Sequence, residues 1–242
     1  MQSLTPELRI EQVDVRAGDT LIVHNACLSL SVGQRVALLG RSGCGKTTLL
    51  HAVMGLIPLD SGEVEVRGGA SKSLARMVQL IPQDAAGSLS PRLQVEALLA
   101  RPLAKLKVPG DHRQRILQAM QQVDLSPSLL NRKAHELSGG QAQRVAIARA
   151  LAIGAQFLLC DEPLTGLDPA LKDDTVQMLS ELNDIGILFV SHDLLAAQQL
   201  CQRAVVMESG HITDEGDWDH LLGPSGSPIL EELLRATPQL HS

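Results

Sequence analysis

The stretch RVALLGRSGCGKTTLLHAVMGL, residues 35–56, constrains the fold more than any other part of the chain. RVALL is a short, continuous apolar run, the pattern of a strand buried on both faces. GRSGCGKT follows without a gap, and KTTLLHAVMGL continues as a helix. In such a strand–loop–helix, Gly40, Gly43 and Gly45 let the backbone bend close to phosphate oxygens. Lys46 reaches the outer phosphates, and the Thr47 hydroxyl suits Mg²⁺. Arg41, Ser42, Cys44 and Thr48 complete the loop and the first helical turn, whose dipole also favours anions. Cys44, in this loop, is expected to react with alkylating agents and to be protected by nucleotide.

The flanking sequence alternates strands and helices. LRIEQVDV (8–15), ACLSLSV (26–32) and SGEVEVRG (61–68) alternate apolar and polar residues as half-buried antiparallel strands do, while RMVQLIPQ (76–83) is an apolar strand. From about Pro91 to Leu151 the spacing turns helical, with Ile116, Leu117, Met120 and Val123 three to four apart. QFLLCDE (156–162) returns as a buried strand, and Asp168 and Pro169 read as N-cap and first residue of a helix. GILFVSHD (186–193) is the next strand, and strand–helix–strand implies parallel pairing. The tail holds a Gly/Pro/Ser linker and a short amphipathic helix. The expected fold class is α/β, with an N-terminal antiparallel β subdomain.

Composition removes several classes of function. The formal net charge is −6, so no chain-wide basic field attracts nucleic acid or anionic lipid. Aromatic residues are 1% of the chain, so base stacking on aromatic platforms is not available as a general device. The four cysteines, at positions 27, 44, 160 and 201, have no paired metal-ligand spacing and read as reduced thiols of a cytoplasmic protein. The opening MQSLTPELRI lacks a basic-then-apolar signal, and no run of about 20 apolar residues is present to span a bilayer.

Three features gain meaning only beside the phosphate loop. Asp161 and Glu162, taken alone, read equally well as acidic residues ahead of a helix. With a phosphate loop, Asp161 becomes a Mg²⁺ group and Glu162 a carboxylate placed to accept a proton from an attacking water. His192 alone reads as a capping or core histidine, and Gln83 as a loop amide. Both end strands whose carboxyl ends are where ligands of parallel sheets gather, which suits His192 to a γ-phosphate hydrogen bond and Gln83 to a Mg²⁺ or water contact. A GTPase would need Asn-Lys-x-Asp, and the closest string, NRKA (131–134), lacks the acid. HELSGGQAQRVAIARAL (135–151) poses a puzzle. Its Ser-Gly-Gly is a second element able to wrap N–H groups around phosphate.

The ordered set GRSGCGKT, Gln83, LSGGQ, FLLCDE, GLD and SHD resembles the nucleotide-binding domain of ABC ATPases. SLSPRLQV after Gln83, LSGGQAQRVAIARAL and SPILEELLRATP are similar to the peptide, nickel and opine-metallophore importer subfamily, and the absence of a Cys-containing C-terminal extension favours its shorter branch. The resemblance implies a P-loop NTPase (RecA-like) core over residues 1–90 and 153–222, an α-helical signature subdomain over 91–152, and a tail over 223–242. It implies ATP and Mg²⁺ as cofactors and a head-to-tail pair of ATPases, paralogous or identical. Ser138, Gly139, Gly140 and Gln141 would complete the opposing site, with Asp168 coupling the two. It implies transmembrane permease subunits as partners, an extracytoplasmic binding protein indirectly, no nucleic acid, and a peripheral place on the cytoplasmic face of the inner membrane. The helical insert and the loop after Gln83 would dock on the permease. The other class is a soluble ABC ATPase of DNA maintenance, translation or cluster assembly. One departure concerns adenine: where the family stacks an aromatic ring, this chain reads VDVRAGDT (13–20), leaving the Arg16 guanidinium or aliphatic contacts to hold the base.

Overall fold

Side-chain alternation along three short strands divides the interior in two. In the computed structural model, β3 (Arg35–Leu39), β6 (Phe157–Asp161) and β7 (Gly186–Val190) are buried along their whole length. Successive residues of a strand point to opposite faces. Val36, Leu38, Phe157, Leu159, Leu188 and Val190 therefore enter one apolar cluster, and Ala37, Leu39, Leu158, Cys160, Ile187 and Phe189 enter the other. Residues 5–68, 73–223 and 227–236 are described. The first four residues of the N-terminal stretch, most of the Gly/Pro/Ser linker and the last six residues lie outside them.

On one side of this sheet lie β1 (Glu7–Ala17), β2 (Thr20–Ser31) and β4 (Ser61–Arg67), an antiparallel sheet in the order β2-β1-β4. Its buried face, with Leu8, Ile10, Val13 and Leu30, closes over α1 (Lys46–Val53) in a shared core. The central sheet runs β5-β6-β7-β3-β8-β9, where β5 is Val78–Ile81, β8 is Arg203–Glu208 and β9 is His211–Asp217. Its pairs are parallel except β8 with β9.

Helices cover the other face. A single turn on the side of the antiparallel sheet, α2 (Leu74–Met77), leads into β5, so Arg76 and Met77 precede the strand expected to include them. Between β5 and β6 come α3 (Val95–Lys105), α4 (His112–Gln122), two 3₁₀ turns and α5 (Gly139–Ile153). α5 starts at the capping box Ser138/Gln141 and ends at Gly154, whose φ of 87° suits a residue without Cβ. α6 (Pro169–Glu181) starts at Asp168, whose side chain accepts from Leu171 N at 3.0 Å, with Pro169 at the first helical position. α7 (Leu194–Leu200), α8 (Trp218–Leu221) and α9 (Pro228–Ala236) complete the described helices. None is long and apolar enough to cross a membrane.

The β8–β9 hairpin extends beyond the sequence reading. Its signals are the buried run Ala204–Met207 and a turn at Ser209 and Gly210, with φ of 47° and 86°; two-residue turns with both φ positive match the twist of a hairpin. The scarce aromatics are placed with care. Phe157 fits because its neighbour Gly186 has no side chain; a Cβ there would lie 2.6 Å from the ring. Trp218 donates its indole N–H to the Cys201 carbonyl at 2.7 Å. Because Phe157 is fully buried, Phe157→Ala should destabilise the protein by about 3–5 kcal/mol. Gly186→Val should cost about 1–3 kcal/mol by overpacking the same ring. Urea unfolding measures both.

Candidate nucleotide site

The site is assembled from the carboxyl ends of parallel strands, where ligands gather in open α/β sheets. The phosphate loop leaves β3, Gln83 follows β5, Asp161 and Glu162 end β6, and His192 follows β7. Two glycines fix the loop. Gly40 has φ +152° and a Cβ there would stand 2.2 Å from the Met207 carbonyl oxygen. Gly45, at φ +109°, passes so close to β2 that a Cβ would meet the Ile22 carbonyl at 3.0 Å. Only glycine allows both the conformation and the approach. Gly210 N donates to the Cys44 carbonyl at 3.0 Å, which ties the loop to the β8–β9 turn.

The loop holds its cation inward. Lys46 is only 7% exposed, and its ammonium donates to the carbonyls of Gly40 and Arg41 at 2.8 and 2.9 Å. A buried ammonium surrounded by neutral carbonyls is poised for a multiply charged anion. Arg41, Ser42, Gly43 and Thr47 are exposed, and Thr48 is half-buried. The Thr47 hydroxyl donates to Asp161 Oδ1 at 3.2 Å. Burial pushes the Asp161 carboxyl above its usual range, opposed by the Thr47 hydrogen bond, and the neighbouring Glu162 pushes it further up. A buried carboxylate beside a hydroxyl is a hard oxygen pair of the kind that suits Mg²⁺.

Glu162 sits in the left-handed region at φ 47°, a conformation that costs a non-glycine residue about 1–3 kcal/mol. Its N–H donates to Val190 O at 3.0 Å, and its Oε2 accepts from the Thr165 hydroxyl at 3.0 Å and lies 2.9 Å from His192 Nδ1. With Glu162 ionised, Nδ1 carries the proton of that contact. A bond donated from Nε2 to a phosphate oxygen then requires a second proton on the imidazole. Gln83 is exposed two residues beyond β5.

The second glycine element lies elsewhere. Ser138 and Gln141 bond each other, Ser138 Oγ accepting from Gln141 N at 3.2 Å and Gln141 Oε1 accepting from Ser138 N at 3.1 Å. Together with Gly139 and Gly140 they line a cleft of about 700 Å³ shared with Asp168 and Leu171, and no residue of the phosphate loop borders it. Gly140 is pressed on α6; a Cβ there would lie 2.9 Å from Leu171 Cδ1. Arg16, near the end of β1, pairs with Asp60 at 3.2 Å and donates to the Asp19 carbonyl at 3.1 Å. Sequence reasoning missed these two partners, Thr165, and the buried Gln143 that reaches Pro163.

One thiol departs from expectation, while all four cysteines are free. Cys44 is 8% exposed, its Sγ turned into the core beneath the loop, 3.8 Å from the Lys46 ammonium. Burial pushes Cys160 up to about 12 and raises Cys201 as well. Cys27 is the exposed thiol. Alkylation by a maleimide should therefore show a fast phase that Cys27→Ser removes and Cys44→Ser leaves unchanged, as mass spectrometry of timed samples would read.

The fold and this arrangement define a phosphate-loop NTPase. The sequence model of the ABC transporter family matches residues 23–165, which hold the loop, the LSGGQ helix start and the acidic pair. The chain belongs to the ABC transporter family and is an ATPase. It is 36% identical to the nickel import ATP-binding protein NikE of Brucella suis biovar 1 (strain 1330), over 90% of this chain and 88% of that one. It is 33% identical to the oligopeptide transport ATP-binding protein OppF of Salmonella typhimurium, over 89% of this chain and 69% of that one. The dimeric post-hydrolysis state of the ATP-binding cassette MJ0796, bound to ADP and Pi, superposes with TM-score 0.73 at 28% identity, over 87% of this chain and 98% of that one.

Proposed function

We propose that this chain is the ATP-hydrolysing motor subunit of a bacterial importer whose cargo is a peptide, nickel or a metal–opine chelate. One observation carries the head-to-tail part of the reading. The phosphate loop and the LSGGQ edge border separate clefts of one chain, which supports each serving a different nucleotide, as a head-to-tail pair allows. Binding ATP between two such chains adds contacts on both sides of one triphosphate, which makes the nucleotide the link. The importer part is supported by the names of the relatives, one for nickel import and one for oligopeptide transport.

In this reading Gly40 to Thr48 cradle the phosphates, with Lys46 exchanging its loop carbonyls for phosphate oxygens. Thr47, Asp161 and Gln83 hold Mg²⁺, which supplies charge neutralisation on the phosphates. Glu162 orients the attacking water and accepts its proton, and His192 holds that carboxylate on one side while facing the γ-phosphate on the other. Ser138, Gly139, Gly140 and Gln141 serve the opposing chain's phosphate through helix N–H groups and a hydroxyl, and Asp168 couples the two sites. Arg16, its guanidinium held by Asp60 and the Asp19 carbonyl, stacks on adenine. The core spans 1–90 and 153–222, and the helical insert 91–152 with the loop after Gln83 docks on permease subunits at the cytoplasmic face of the inner membrane. A binding protein outside delivers the cargo.

Glu162→Gln is expected to bind MgATP, lose hydrolysis, and shift from monomer to dimer by light scattering. A protein that hydrolyses normally, or binds ATP and never pairs even with a paralogous ATPase present, overturns this reading. Arg16→Ala should weaken ATP binding several-fold in a titration, about 1 kcal/mol; unchanged affinity removes Arg16 from the adenine site.

A further inference from the structure

Glu162 holds a left-handed backbone, and the chain on each side of it is fastened to a different element. Ahead of its side chain, Glu162 N–H is bonded to Val190 O at the end of β7. Behind it, the carbonyl of the buried Pro163 accepts a hydrogen bond from the side-chain amide of Gln143 at 2.6 Å. Gln143 is 5% exposed and lies one turn into α5, four residues after Gly139. The same first turn of α5 is pressed against α6 through Gly140 and Leu171. α5 is one continuous 15-residue helix, so the buried amide links its N-terminal edge to the Pro163 carbonyl.

We infer that Gln143 is a positioning residue for Glu162, joining the chain's own LSGGQ edge to the backbone that aims its own carboxylate at water. The inference rests on the proposed role of Glu162 and goes beyond it by making the two sites of the pair communicate within one chain. The chemistry is specific. Gln143 donates to the Pro163 carbonyl from inside the protein, while the preceding peptide, which lacks an N–H because Pro163 is a proline, is held through the Glu162 carbonyl, which accepts from Thr165 N at 3.2 Å. Removing the donor leaves a buried acceptor unpaired and frees the peptide to turn toward another partner. Glu162, one residue away and in a conformation it holds only under constraint, then loses its aim.

The test uses the full chain in its ATP-dependent pair. Gln143→Met keeps the length and removes the donor. It should lower kcat by about 10- to 100-fold while KM for ATP, MgATP affinity and ATP-dependent pairing stay within about twofold. Gln143→Glu adds a readout that packing alone would not move: a protonated carboxyl donates to the Pro163 carbonyl and an ionised one repels it. Its kcat relative to wild type should therefore rise as pH is lowered from about 8 to about 6, while that of Gln143→Met stays flat. A kcat for Gln143→Met within about twofold of wild type overturns the inference. So does a loss in which kcat, ATP affinity and the urea midpoint fall together, or a flat relative profile for Gln143→Glu. Glu162→Gln in parallel separates the two readings: hydrolysis abolished there with Gln143→Met normal rejects the inference alone, and hydrolysis retained there rejects the role of Glu162 itself.

Discussion

Burial of β6, β7 and β3 on both faces is the constraint from which the rest of the molecule follows. A strand with no exposed face must be covered twice, and the antiparallel sheet with α1 supplies one cover while the helices supply the other. Nothing polar can sit in the middle of such strands. Chemistry is pushed to their ends, and parallel pairing puts the carboxyl ends of β5, β6, β7 and β3 on one edge. The phosphate loop, the acidic pair and His192 meet there because the strands that carry them are parallel neighbours, and Gln83 follows β5 on the same edge.

At that edge, the structure accepts local costs. Gly40 and Gly45 hold the loop against Met207 and Ile22 at distances no side chain tolerates. Lys46 and Asp161 are charged groups taken nearly out of water, each partly compensated by its neighbours, the carbonyls of Gly40 and Arg41 in one case and the Thr47 hydroxyl in the other. Glu162 adopts a strained backbone whose N–H is bonded to the end of β7, and the next residue, Pro163, accepts a bond from α5. These are the groups proposed to meet a triphosphate and a hard cation, and the surrounding fold holds their positions.

Much of this is legible in residues. GRSGCGKT after RVALL names its loop because few backbones besides a glycine-rich one can surround phosphate, and strand periods of two show in LRIEQVDV and ACLSLSV. Asp168 and Pro169 announce the start of α6 by the hydrogen bonding and fixed φ that every helix start uses. The β8–β9 hairpin is harder to see, since β9 reads HITDEGD, a mostly polar edge strand whose place depends on pairing with β8. Cys44 differs from its expectation for a related reason. Position in a phosphate loop suggests an accessible Cys44, but which way a side chain turns is set by what lies beneath the loop.

The sequence by itself determined the α/β class, the phosphate loop and the types of group that could surround it, because those depend on local spacing, on glycine's conformational range and on strand or helix period. Only the tertiary structure decided that Thr47 meets Asp161, that His192 faces Glu162 through Nδ1, that Gln143 reaches Pro163, and that the LSGGQ edge borders a cleft apart from the phosphate loop. The first three of those relations join residues from 20 to 114 positions apart. Such pairings are fixed by how sheets and helices pack, and no local pattern in the chain carries them.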